Sequence, residues 1–326
     1  MKRAVLAPDE AVPHRDGLPP PWPGRTVYLD GAAIFVRETP ATAPDAEPAL
    51  YVHGLGGSSQ NWTDLAGLLA HRLAGQAIDL PGFGRSDPAR RYTLPAFAGR
   101  VIRFLEYADR GPVHLVGNSL GGAISVLVAA TRPDLVRTLT LISPALPFLN
   151  PRRSVQSRML PLLVVPRAHR LAARRLAQVS PQQLTRLVLQ ACFADPERLP
   201  LQRLAEAEEE AKLRFSLPHH MDAYVRTMRG LVATFLRAYL PGSGSLWRIV
   251  RQVCAPTLVI GGRQDRLVDV RVAPQTARLI PDSRLIVFED VGHVAQMEVP
   301  RLVARAVIAL LDEVGRSGIR GADVAG

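Results

Sequence analysis

Residues 113–122 read VHLVGNSLGG, and they decide how this chain folds. An apolar strand-forming run reaches Val116, and a helix-forming run begins at Leu120. Between them Gly117-Asn118-Ser119-Leu120-Gly121 is a G-x-S-x-G pattern set in a strand-to-helix turn. Such a turn is strained, so its flanking positions need glycine where a Cβ would collide with neighbouring backbone. It lifts the Ser119 hydroxyl clear of the sheet. It also brings the first N–H groups of the helix beside that hydroxyl, where a developing anion is favoured. For the pentapeptide alone, a serine that simply caps a helix is the competing reading.

A serine nucleophile at neutral pH needs an imidazole to take its proton and a carboxylate to hold that imidazole's tautomer. Both occur downstream in the required order. Asp265 follows the strand PTLVIGG (256–262), and His293 follows the strand RLIVFED (284–290), with separations of 146 and then 28 residues. In an open parallel sheet the carboxyl ends of the strands share one edge, so three distant residues can meet there. Asp265 is the chosen carboxylate because it closes a strand and opens a loop. Asp269 is the reserve, and Asp290 sits only three residues before His293 on the same turn. Of the other histidines, His14, His71, His114 and His169 fall in the lead or inside helical and strand patterns, while His219 and His220 are read as lining an insertion. His53 opens the loop His53-Gly54-Leu55-Gly56-Gly57 after the strand ALYVHG (49–54), which can turn an amide toward a substrate carbonyl. The backbone N–H groups of Leu55 and Leu120 are the expected oxyanion donors. This loop has neither the lysine of a phosphate loop nor the spaced glycines of a dinucleotide fingerprint.

Further out, eight strands are expected at 26–30, 33–38, 49–54, 76–80, 113–118, 138–143, 256–262 and 284–290. Helices are expected near 61–74, 94–109, 119–132, 271–280 and 298–314. The alternation predicts an α/β fold with a mostly parallel sheet covered on both faces and entered through an antiparallel pair. It breaks over 145–250, where nine prolines from Pro147 to Pro241 punctuate helical segments. The chain therefore divides into a proline-rich arm (1–24), a first core part (25–144), a helical cap (145–250) and a second core part (251–326).

Taken together, HGLGG (53–57), DLPGFGRSD (79–87), GNSLGG (117–122), GGRQD (261–265) and GHVAQME (292–298) resemble the α/β-hydrolase fold family, serine-nucleophile branch, esterase- or lipase-like. The match covers roughly 26–144 and 251–314. The resemblance implies an eight-stranded sheet with helices on both faces and a cap inserted after the sixth strand, and it supports Ser119, Asp265 and His293 as nucleophile, acid and base. It implies no metal and no organic cofactor. Asp79 and Asp87 are expected to organise the loop beside the site. The GNS-x-GG and AQ-x-E patterns are also similar to the meta-cleavage product hydrolases, which split carbon–carbon bonds of vinylogous diketo acids. Those enzymes usually carry Trp after the catalytic histidine, where this chain has Val294.

Composition narrows the classes further. A chain of 326 residues with 47% hydrophobic and 21% charged residues builds a globular core, not a disordered or coiled-coil chain. Asp9 and Glu10 interrupt the start before a signal-like apolar run develops, so the expected location is cytoplasmic. Cys192 and Cys254 cannot make a disulfide framework and are expected to be buried small hydrophobes. The net charge of +11 is mostly dispersed Arg, which argues against nucleic-acid binding. Over 145–250 there are 16 Lys and Arg against 7 Asp and Glu, or +9. That excess, concentrated in RRSVQSRMLPLLVVPRAHRLAARR (152–175), suits a solvated cap face first and a lipid surface second. The expected function is acyl-enzyme hydrolysis of moderately hydrophobic carboxylic esters. Carbon–carbon hydrolysis is the alternative, and a small-ligand receptor on the same scaffold is the alternative of another class.

Overall fold

The computed structural model describes residues 1–148, 179–240 and 245–322. Its strands are β1 (Lys2–Arg3), β2 (Gly24–Leu29), β3 (Ala32–Thr39), β4 (Glu47–Val52), β5 (Leu73–Ile78), β6 (Val113–Asn118), β7 (Val136–Ile142), β8 (Thr257–Gly262) and β9 (Ser283–Phe288). They form one sheet in the order β1-β9-β8-β7-β6-β4-β5-β3-β2. Only β3, against β2 and β5, makes antiparallel pairs, as the alternation predicts. All eight expected strands are present. The additional β1 pairs parallel with β9, Lys2 opposite Arg284, and two exposed charged residues carry no periodicity by which to find them.

The helices are α1 (Thr63–Leu68), α2 (Leu94–Ala108), α3 (Leu120–Thr131), α4 (Pro181–Cys192), α5 (Leu201–Ser216), α6 (His220–Arg237), α7 (Leu246–Val250), α8 (Val272–Leu279), α9 (Ala295–Glu298) and α10 (Pro300–Ala322). Two hydrophobic layers lie on opposite faces of the sheet, and β4 shows how one strand feeds both. Leu50 and Val52 join the layer under α2, α3, α7 and α8, while Ala49 and Tyr51 join the layer under α1 and α10. Because both faces are covered, strands such as β6 and β8 are buried at every position. Helix α3 is apolar nearly all round for the same reason: it packs on β6 and β7 and against α2.

Between β7 and β8 the described residues form helices and turns with no strand, in the interval expected for an insertion. The basic stretch 152–175 and His169 lie outside the described residues.

The proline-rich arm contributes to the core: Ala4, Ala7 and Val12 are buried in the layer with α10, and Arg301 grips Asp9 and the carbonyls of Asp9 and Val12. Its small apolar residues are spaced by prolines and charges, which hides them from a search for helical or strand periods. Cys254 is exposed, not buried, because it lies in the turn entering β8, where its thiol meets the Gln252 carbonyl.

Candidate active site

Ser119 stands between the end of β6 and the first residue of α3 with φ +55° and ψ −117°, a conformation that costs a non-glycine residue about 1–3 kcal/mol. The surroundings hold it there. Its amide donates to the Ile142 carbonyl at 3.0 Å, and its carbonyl accepts from Ala123 and Ala145 at 3.1 and 2.9 Å. Gly117 and Asn118 close β6, and the Asn118 side-chain amide donates to the carbonyls of Ile142 (3.0 Å) and His293 (3.1 Å). Asn118 thus ties the turn to β7 and to the histidine loop. Gly121 is required by close approach, since a Cβ there would overlap the carbonyl oxygens of Val52 and His53.

His293 and Asp265 are joined. The ring Nδ1 lies 2.8 Å from Asp265 Oδ2, and both side chains are almost fully buried. The other carboxylate oxygen accepts from the amides of Leu267 (2.8 Å) and Val268 (2.9 Å), which fixes the acid's orientation. A carboxylate so held keeps the proton on Nδ1 and leaves Nε2 as the basic nitrogen. Asp269, the reserve candidate, is turned away: it is buried against Arg271, at 2.8 and 3.0 Å. Asp290 faces Gln264 at the surface.

Ser119 and His293 line one cavity with Gly54, Leu55, Asn118 and residues of α4 and α5. Among the described residues no hydrogen bond joins the serine hydroxyl to the ring. Such bonds are often long before substrate binds. A Cβ added at Gly54 would come within 3.2 Å of Asn118 Oδ1 and of Ser119 Cβ, so the HGLGG loop and the serine turn lie side by side. The N–H groups of Leu55 and Leu120 have no acceptor among the described residues. His53 sets this loop. Its Nε2 accepts from the Leu80 amide at 2.9 Å and its Nδ1 meets the Gly54 carbonyl at 2.7 Å, while burial lowers its pKa to about 4. It is a neutral brace, not a base.

Asp79 and Asp87 have the organising role expected of them. Buried Asp79 accepts from the amides of Ser59 (2.6 Å) and Arg85 (2.8 Å), and Asp87 accepts from Ala33 at 2.8 Å. His220 is buried against Phe215, its pKa lowered by burial to about 3.

The cavity has two characters. Leu184, Val188, Leu189, Phe193 and Met297 make an apolar wall, and Gln60, Arg203, Glu206, Glu210 and Arg214 make a polar one. Arg203 pairs with Asp64 and Glu206, and Glu210 faces Arg85 at 3.5 Å. Arg214, its pKa lowered by burial, has no carboxylate within salt-bridge distance among the described residues. Cys192 also lines the cavity, but burial and then the nearby Asp265 charge push its thiol up to about 12, so it stays protonated at neutral pH.

Sequence reasoning gave no role to Asn118's cross-tie, to Arg214 or to Glu298. Glu298 lies within the GHVAQME motif. Arg214 was one of many arginines, and only the three-dimensional pairing of the others singles it out.

Among the described residues no group of three or more His, Cys, Asp or Glu is placed to hold a metal ion. No described helix is long and apolar enough to cross a membrane.

Comparison with known proteins agrees with this architecture. The dihydrolipoyllysine-residue acetyltransferase component of the acetoin cleaving system of Pseudomonas putida is 30% identical over 265 residues, 81% of this chain and 63% of that protein. The chain therefore spans under two thirds of that relative. Monoacylglycerol lipase ABHD6 of Rattus norvegicus is 27% identical over 278 residues, 83% of this chain and 77% of the relative. The crystal structure of a membrane phospholipase A, described as a bacterial virulence factor, superimposes with TM-score 0.70 at 26% identity, covering 90% of this chain and 87% of that one. A family model described as the alpha/beta hydrolase fold matches residues 48–300, and the chain belongs to that family.

Proposed function

We propose that the protein is a serine hydrolase of carboxylic esters acting through an acyl-enzyme. The observation that carries the reading is the buried His293–Asp265 hydrogen bond opening on the same cavity as a serine in a strained strand-to-helix turn. With the Nδ1 proton held by Asp265, Nε2 of His293 accepts the Ser119 proton as Oγ attacks the ester carbonyl. The amides of Leu55 and Leu120 then stabilise the oxyanion. Collapse expels the alcohol, which takes the proton back from His293. Water repeats the sequence on the acyl-enzyme, with His293 as base, and releases the acid and free Ser119. The apolar wall of the cavity suits an aliphatic acyl chain, and the polar wall suits an alcohol or a substituent rich in hydrogen-bond acceptors. A monoacylglycerol lipase among the relatives supports that division.

One observation favours a second reading. Arg214 on the polar wall has no carboxylate partner among the described residues, which suits a substrate that brings its own acid group, such as a vinylogous diketo acid cleaved at carbon–carbon. The test is a panel of p-nitrophenyl esters of graded chain length beside one yellow meta-cleavage dienolate at matched enzyme concentration. Ester turnover abolished by Ser119→Ala is the expected result. Rapid bleaching of the dienolate with negligible ester turnover would replace the ester reading, and no turnover of either would overturn both.

A further inference from the structure

Glu298 closes the GHVAQME motif, and its side chain is completely buried. An ionised carboxylate without solvent is costly unless its oxygens are satisfied by donors. Here the donors come from two segments far apart in sequence. Gly292, immediately before His293, donates to Oε2 at 2.7 Å. Ala194 donates to both oxygens, at 3.1 and 3.2 Å, and Asp195 to Oε1 at 3.1 Å. The Arg198 guanidinium approaches Oε1 at 3.5 Å and also donates to the Asp290 carbonyl at 2.5 Å.

Ala194 and Asp195 follow the end of α4, whose Leu184, Val188 and Leu189 form the apolar cavity wall. The two segments are also in direct backbone contact. The His293 amide donates to the Cys192 carbonyl at 2.6 Å, and a Cβ on Gly292 would overlap Cys192 O and Ala194 N. We infer that Glu298 is a positioning residue that clasps the histidine loop to the end of α4, so that the base and the wall that grips the acyl chain are held as one unit. A side chain that only filled space would not need three amide donors on one carboxylate. Glutamine could not replace it without turning an NH2 group toward N–H donors.

The inference rests on the ester-hydrolase reading, and the experiment separates the two. Glu298→Gln and the shorter acid Glu298→Asp are compared with wild type on the ester panel, with active sites counted by fluorophosphonate labelling of the serine. Amide hydrogen exchange is followed at Gly292, Ala194 and Asp195. Glu298→Gln is expected to lower kcat per labelled site by about 10- to 100-fold, as small misplacements of a reacting group do, and to flatten the chain-length preference. KM for the shortest ester should change by less than about threefold, and Glu298→Asp should recover part of kcat. An unchanged kcat per site with an unchanged chain-length optimum would overturn the inference. If Glu298→Gln does not fold, wild-type exchange decides. The three amides should open together, and exchange of Ala194 and Asp195 orders of magnitude faster than Gly292 would overturn the clasp. Wild type that neither hydrolyses esters nor labels would remove the hydrolase reading and the positioning role with it, whereas exchange would still report the join.

Discussion

The sheet carries a buried histidine beside a carboxylate at each of its ends. At the carboxyl rim, His293 gives Nδ1 to Asp265, and among the described residues nothing takes Nε2. At the amino end, His114 of β6 has both ring nitrogens occupied, Nδ1 by Thr138 at 2.7 Å and Nε2 by Glu47. The acids differ as well. Asp265 is buried and otherwise held by two amides, whereas Glu47 is substantially exposed and shared with Arg137 at 2.7 Å. A histidine–acid pair becomes chemically useful when the second nitrogen is left free, facing a cavity that also holds a nucleophile. His114 fails that condition although it sits on the strand that leads into Ser119.

The most severe way to probe this contrast is Ser119→Ala, which should cut ester turnover by about 10⁴-fold or more while circular dichroism stays native. Activity above one per cent would place the nucleophile elsewhere. Next comes the acid: Asp265→Asn should lower kcat about 10³- to 10⁴-fold by favouring the wrong imidazole tautomer. The matching change at the other end, Glu47→Gln, should leave kcat within about twofold, as expected of a partly exposed structural pair. Equal losses in the two variants would erase the distinction. Asp269→Asn should likewise spare turnover, but it should destabilise the fold by about 1–3 kcal/mol in urea titrations, since a buried acceptor of charged hydrogen bonds is removed. A collapse of kcat there would shift the acid to position 269.

The remaining effect is one of pH. Burial holds the pKa of His53 near 4 in the folded chain, against an ordinary value of 6.5. Stability from keeping it neutral is complete above pH 6.5 and declines by about 3 kcal/mol as pH falls toward 4, because the unfolded chain binds a proton that the folded chain excludes. His114 and His220, also lowered by burial, act in the same direction. Unfolding free energies that stay flat between pH 7.5 and 4.5 would contradict this.

Much of the architecture was legible in the sequence because its central strands, such as β6 and β8, are apolar runs ending at glycines, as at Gly117 and Gly261. The order serine, aspartate, histidine was legible for the same reason, since each residue follows such a strand. The roles of Asn118 and Glu298 were not, because each bridges segments that meet only after the sheet has formed. Nor was β1: two charged residues take their conformation from the edge of β9 and not from any pattern of their own.

The strand order has a mechanical consequence for the proposed triad. The loops bearing Asp265 and His293 follow adjacent strands, whereas Ser119 follows β6, separated from β9 by β7 and β8. Neighbouring strands rotate by roughly 20–25° relative to each other, so any change in coiling accumulates between the serine and the imidazole and hardly at all between the imidazole and its acid. Heat or pressure that slightly unwinds the sheet would therefore misalign the hydroxyl first, silencing the proposed hydrolysis while the secondary structure is still intact.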